Sequence, residues 1–192
     1  MFNFQTCKQP NCSTYICAEG PFCYRHSPNK AALHEFCVAS LLGDSDVLDL
    51  SLTAGEFEYL TIPKKGFISS NMAWCTFRGV DFSDCTFITS FFDFCLFEDC
   101  RFNNITSRYS IFSGSKMIGC DFSGSNITHS NFVGIDTVFC NFGECDLYYT
   151  NFGASFFRDT DFIDSNLKKA DFSHTNQRRV SFRYSNYEEA HH

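Results

Sequence analysis

Residues 75–87 read CTFRGVDFSDCTF, and the three rings in this stretch stand five residues apart, at Phe77, Phe82 and Phe87. Two residues before each ring comes something small: Cys75, Val80 and Cys85. The interval extends in both directions. Counting in fives from Phe67 to Tyr187 passes through 25 positions without insertion or deletion; 16 are Phe and six are Met, Ile, Leu or Tyr. The position two residues earlier holds Ser, Cys, Thr, Ala or Val in 22 of the 25 units. Between the two there is often Asp or Asn, as at Asp81, Asp121, Asn131, Asn141, Asn151, Asp161 and Asp171. A period of five matches neither the helical repeat of about 3.6 nor the strand repeat of about 2. The chain must therefore turn a corner in every unit.

The units SGSNI (123–127), HSNFV (129–133), YTNFG (149–153) and KADFS (169–173) resemble those of pentapeptide-repeat proteins. The likeness covers roughly residues 60 to 187. It implies an all-β, right-handed quadrilateral β-helix with four units per coil, the small and large residues of each unit facing inward. The count gives about six coils and, at a strand spacing of about 4.8 Å, a rod of roughly 30 Å.

Sorting the large positions by a period of 20 tests four units per coil. The column 82, 102, 122, 142, 162, 182 is Phe throughout, and the column 72 to 172 is Phe except for Met72. Where the large position shrinks to Ser107 or Thr137, the small one swells to Ile105 or Ile135. Close-packed interiors demand such volume compensation. Cys75, Cys85, Cys95, Cys100, Cys120, Cys140 and Cys145 all occupy the small position interchangeably with Ser and Thr. They are expected to fill space in the core as free thiols, although a spacing of 20 along Cys100, Cys120 and Cys140 also permits disulfide geometry.

The N-terminal cysteines follow a different pattern. Cys7, Cys12, Cys23 and His26 form C-x4-C-x10-C-x2-H, two close pairs separated by a loop, as a four-coordinate structural zinc site requires. The segment has too few large apolar residues for a core, so metal binding would supply its folding free energy. It resembles small Cys3His zinc-finger-like modules, and Cys17 is a spare thiol that can replace a ligand. Next, HSPNKAALHEFCVASLLGD (26–44) predicts a helix from about 28 to 42, with Ser27 as cap, Pro28 in the first turn and Gly43 as the stop. Leu33, Phe36, Cys37, Leu41 and Leu42 would share its buried face, and His34 with Cys37 offers a second, weaker metal pair. The expected organisation is a zinc-binding-like module at 1–27, a helical cap and lead-in at 28–60, and the β-helix at 61–190. His191 and His192 read as a tag remnant.

Composition limits the function classes. The net charge is −7 with 19% charged residues, which does not describe a general nucleic-acid binder. No run of 18 apolar residues exists, and the first residues lack the basic and apolar regions of a secretion signal. Twelve cysteines without an export signal point to a reducing, cytoplasmic setting. No catalytic motif stands out, so no enzyme is expected.

Two binding functions remain. The first is a protein-interaction scaffold for an unidentified partner, with Arg108, Tyr109, His129, Tyr148, Tyr149, Lys168 and Lys169 on one outward side. Trp74 and Phe94, also outward and 20 apart, are expected to pack beneath the cap. The alternative is an acidic DNA mimic that binds DNA gyrase, as the resemblance to quinolone-resistance members of the family suggests. Against it, between 67 and 190 there are 15 acids and 10 bases, and six of the acids belong to the repeat itself. Lys168 over Glu188, Lys169 over Glu189 and Asp159 under Arg179 read as cross-coil pairs. The chain is still in register at Tyr187, so either it continues or two copies meet at the last coil as a homodimer.

Overall fold

A computed structural model describes residues 5–17 and 20–192. Its organising relation is a parallel register of 20: Phe67 pairs with Phe87, Phe77 with Phe97 and Thr137 with Phe157. One wall is a five-stranded parallel sheet running from Val47–Leu48 through Gly66–Ile68, Thr86–Ile88 and Thr106–Arg108 to Asn126–Thr128. Another is a seven-stranded sheet from Glu56–Glu58 to Asn176–Ser181. Isolated parallel bridges such as Asp81↔Arg101 and Asn71↔Phe91 stack the remaining sides. The result is a mostly-strand parallel β-solenoid of about seven turns. Among the described residues no helix is long and apolar enough to cross a membrane.

The solenoid begins at Val47, before the boundary at 61 read from the sequence. Val47 pairs with Phe67, and Val47, Leu52, Phe57 and Ile62 are buried in the same five-residue register. His191, set aside as a tag remnant, carries that register to the other end: its N–H donates to the Ala170 carbonyl and its carbonyl accepts from Phe172 N, each at 2.8 Å.

Each corner has a chemical cause. The Asp or Asn before the large residue accepts the N–H two residues on: Asp81 from Ser83 at 2.9 Å, Asn141 from Gly143 at 2.9 Å, Asp171 from Ser173 at 2.8 Å. These are Asx turns. Two residues after the large one the chain enters the left-handed region, as at Asp84 (φ 61°) and Asn104 (φ 57°). Gly114 sits there too (φ +66°), and a Cβ on it would come within 2.6 Å of the Phe94 ring.

Inside, rings stack coil on coil. Phe82, Phe102, Phe122, Phe142, Phe162 and Phe182 form one pile with centroids 4.5–5.2 Å apart. The small positions are donors as well as filler. Ser125 Oγ donates to the Phe102 carbonyl at 2.8 Å and accepts from Ile105 N at 3.1 Å. Ser115 and Ser165 do the same one coil from their own targets. The thiols take over the donor half: Cys75 Sγ reaches the Leu52 carbonyl and Cys145 Sγ the Phe122 carbonyl, both at 3.0 Å. All of the solenoid cysteines are free and buried. Burial pushes the Cys75 and Cys145 thiols up to about 12, so they remain protonated. The compensating pairs are buried as the volumes demanded, Ser107 with Ile105 and Thr137 with Ile135.

The capping helix, α1, spans Lys30–Leu42. It starts later than the sequence reading had it, because Asn29 and not Ser27 supplies the cap, accepting from Ala32 N at 3.1 Å. Gly43 closes it, its N–H bonded to the Ala39 carbonyl. Cys37 and Leu41 are buried and Leu33 packs on the core, a stripe at i, i+4. Phe36 and Leu42 lie outside that stripe and are exposed. Lys65, the charged exception among the small positions, is buried here; its ammonium donates to the Ser40 carbonyl in the last turn of α1. A cation suits that end of a helix.

Candidate metal centre

Four ligand atoms converge at the N-terminus. The sulfurs of Cys7, Cys12 and Cys23 and a ring nitrogen of His26 all lie within 4.8 Å of one another. His26 Nδ1 is 3.5 Å from Cys7 Sγ and 3.4 Å from Cys23 Sγ, and Cys12 Sγ is 3.9 Å from Cys23 Sγ. This group can hold a metal ion.

Local structure explains the convergence. An antiparallel bridge joins Thr6 to Tyr15, and Cys7 N donates to the Thr14 carbonyl at 2.8 Å. Asn11, at φ 62°, turns the chain and brings Cys12 back beneath Cys7. The 3-10 turn Tyr24–His26 sets His26 over Cys23. Gln9 N points at Cys7 Sγ, 3.5 Å away. Desolvation works against the Cys7 thiolate, but the N–H groups of Cys23 and Gln9 and the His26 ring outweigh it and lower its pKa to about 6. Burial raises that of Cys23. A bound cation would reverse the second effect, since metal ligation keeps thiols deprotonated.

Cys17 is not one of the group. It lies at the seam between the module and α1, its sulfur 3.7 Å from Cys37 Sγ, and both are buried. The Cys37 sulfur and burial push the Cys17 thiol up. The Nδ1 of His34 meets Tyr24 OH at 2.8 Å, and its ring lies on Phe57. The module docks through its backbone: Ser51 Oγ donates to the Ile16 carbonyl at 2.9 Å and Thr53 Oγ1 to the Tyr15 carbonyl at 3.1 Å.

The outward ladder is assembled as its spacing requires. His129 stacks on Tyr149 at 5.3 Å and lies 5.5 Å from Tyr109, while Tyr148 meets Tyr149 edge-on at 4.9 Å. Lys169 Nζ stands 4.8 Å above the Tyr149 ring. It does not pair with Glu189; Lys168 does, at 3.0 Å, and the expected Lys168–Glu188 pair is not formed. Arg179 pairs with Asp159 as expected. Arg108 is exposed at the ladder's edge. Sequence reasoning misplaced Trp74 and Phe94. They stack on each other at 4.4 Å and are 55% and 49% exposed, so the cap does not cover them. The chain spacing of 20 revealed their contact; nothing in it revealed where the module would sit.

The family model for Pentapeptide repeats matches residues 112–136 and 140–176, in eight copies. No curated protein matches the chain. Among solved structures it is similar to HetL, a pentapeptide repeat protein involved in heterocyst differentiation regulation from the cyanobacterium Nostoc sp. strain PCC 7120. That match has 12% identity, 83% of this chain and 94% of that one, and a TM-score of 0.41. A pentapeptide repeat protein from the thylakoid lumen of Arabidopsis thaliana matches at 22% identity over 45% of this chain and 57% of that one, TM-score 0.37. A trypsin-treated variant of QnrB1, a plasmid-mediated fluoroquinolone resistance protein, matches at 14% identity over 77% and 88%, TM-score 0.30.

Proposed function

We propose that this pentapeptide-repeat protein is a non-enzymatic interaction scaffold, closed at its first coil by a zinc-bound module and presenting the Tyr109–His129–Tyr149 side to a protein partner. The observation that carries the reading is the ladder itself. Tyr109 and Tyr149 are 60% and 46% exposed, yet both are in ring contact with His129, and Lys169 stands over Tyr149. Rigid Tyr, His, Arg and Lys side chains need little ordering to make an interface, and such residues carry binding energy. A cytoplasmic protein partner fits the reduced thiols.

Zinc is the metal that suits the donor set. In a tetrahedron with Zn–S of about 2.3 Å and Zn–N of about 2.0–2.1 Å, the edges are about 3.8 Å between sulfurs and about 3.5 Å from sulfur to nitrogen. Three of the six separations, at 3.9, 3.5 and 3.4 Å, match those edges, and all six lie within 4.8 Å. Three thiolates and an imidazole fill four positions and leave none open, so the ion's role is structural. It would hold Cys7–Cys12 against Cys23–His26 and thereby fix the strand that Ser51 and Thr53 bind.

The DNA-mimic reading gains nothing from the charges, which alternate in sign along the coils: Arg78 bridges Glu58 and Glu98 at 3.0 and 2.6 Å, and Arg179 holds Asp159. A second copy meeting the outer strand, Asn176–Ser181, remains the homodimer option, and sedimentation showing monomer alone removes it. The test of the scaffold is an affinity capture compared between wild type and a His129→Ala/Tyr149→Ala variant. The reading expects a discrete partner that only wild type retains; identical captures overturn it.

A further inference from the structure

The docked module and the solenoid enclose a cleft of about 500 Å³. One wall is Ser13–Tyr15 and Arg25 of the module; the other is Asn71, Trp74 and Asp93 of the second and third coils. Trp74 lies flat on Phe94, and Phe94 lies over Gly114, where a side chain would collide with the ring. The indole is thus backed by Phe94, borders the cleft and is 55% exposed. Beside it, Asp93 is partly buried, and among the described ion pairs none includes it. Burial raises its pKa, with its own backbone N–H as the only hydrogen bond acting the other way. Arg25, across the cleft, is exposed and likewise forms none of those ion pairs.

A desolvated carboxylate without a cation is costly to keep. An exposed indole attracts cations. Next to each other, the two select a ligand that brings positive charge on a flat or compact group. We propose that the cleft binds a peptide segment through an arginine or lysine side chain, laid over Trp74 with its head at Asp93, while Arg25 receives an acidic group of the same segment. A peptide is favoured over a free amino acid because the cleft exceeds one side chain and is rimmed by the hydroxyls of Ser13 and Thr14. The inference rests on the scaffold reading in taking a protein as the partner, but uses a different surface from the ladder.

Trp74 is the chain's single tryptophan, so its emission reports on this cleft alone. The full chain is titrated with a short glycine-flanked synthetic peptide carrying one arginine and one glutamate, with the same peptide carrying citrulline for arginine, and with free arginine. The expected result is a saturable change with the arginine peptide, at least about tenfold weaker with citrulline, the loss of one charge-assisted contact. Free arginine should bind more weakly than the peptide. Asp93→Asn should abolish the preference for arginine over citrulline, and His129→Ala/Tyr149→Ala should leave it intact, which separates this site from the ladder. No saturable change at millimolar peptide, or equal binding of the citrulline peptide by wild type, overturns the proposal. Free arginine binding as tightly as the peptide overturns the choice of a peptide.

Discussion

The imidazole of His34 lies nearly parallel to the ring of Phe57, with centroids 6.0 Å apart and planes 17° off. Phe57 in turn stacks on Phe77 and Phe77 on Phe97. The helix thus ends an aromatic pile with a ring of its own, and Tyr24 of the module fixes that ring through its hydroxyl. Solenoids need such an end plate because an open coil exposes core and unpaired backbone.

His34→Ala removes both the stack and the bond to Tyr24. It should cost about 2–3 kcal/mol, from the cavity and the orphaned hydroxyl together. His34→Phe should recover part of that, keeping the stack without the bond. Urea midpoints of the three proteins check the order.

Ser125 bridges two backbone groups of the coil before it, accepting from Ile105 N and donating to the Phe102 carbonyl. Ser125→Ala leaves both unsatisfied and should destabilise by about 1–3 kcal/mol. Ser125→Cys restores the donor only and should fall between. Cys145→Ser should be tolerated, because serine makes the bonds that the equivalent Ser125 and Ser165 make. The chevron or equilibrium midpoint distinguishes these outcomes.

Acid should weaken the corners. Hydrogen bonds from Ser173 lower the pKa of Asp171 below the carboxylate norm, despite some desolvation. In Asp121, desolvation raises the pKa but bonds from Asn103, Ser123 and Asn141 outweigh it. A carboxylate held low in the folded state contributes stability that is present above its unfolded pKa, about 3.9, and is lost as pH falls through the folded value. Stability should therefore decline below about pH 4, and Asp171→Asn should flatten that decline. Asp93 has the opposite sign, its pKa being raised by burial; Asp93→Asn should be at least as stable as wild type at neutral pH. Thermal melts across pH report both.

Thiol reactivity should divide the chain in two. All seven solenoid cysteines are buried, and Cys75 and Cys145 are also held near 12, so alkylation of the native protein should spare the solenoid for want of access. After chelation, Cys7, its pKa lowered to about 6, and the half-buried Cys12 should be modified before any solenoid thiol. Intact-mass spectra followed by peptide mapping read the sites; labelling of Cys75 before Cys12 would contradict the assignment.

Much of this was legible in the residues, and the exceptions have causes. The column Phe82 to Phe182 announced the stacking because every member is the same ring on a strict interval. The first coil went unread because Leu50 and Leu60 stand where the repeat has a small residue, so Val47 and Leu52 looked like lead-in. The Cys7, Cys12, Cys23 and His26 group was legible because each of its two pairs is local in sequence. Cys17 was ambiguous for the same reason, and only the docking of the module against α1 gave it Cys37 as neighbour. The cleft was invisible: Trp74 and Arg25 meet across a seam that no local pattern encodes.

We infer that a zinc ion holds the N-terminal module in place over the first coil. Native mass spectrometry of the full chain, with element-specific quantification, tests it most directly. One zinc per chain is expected, retained through purification and lost in a Cys7→Ser/Cys23→Ser variant whose solenoid stays folded. A native, folded chain that takes up no zinc when it is supplied, or a double variant that holds as much as wild type, would contradict it.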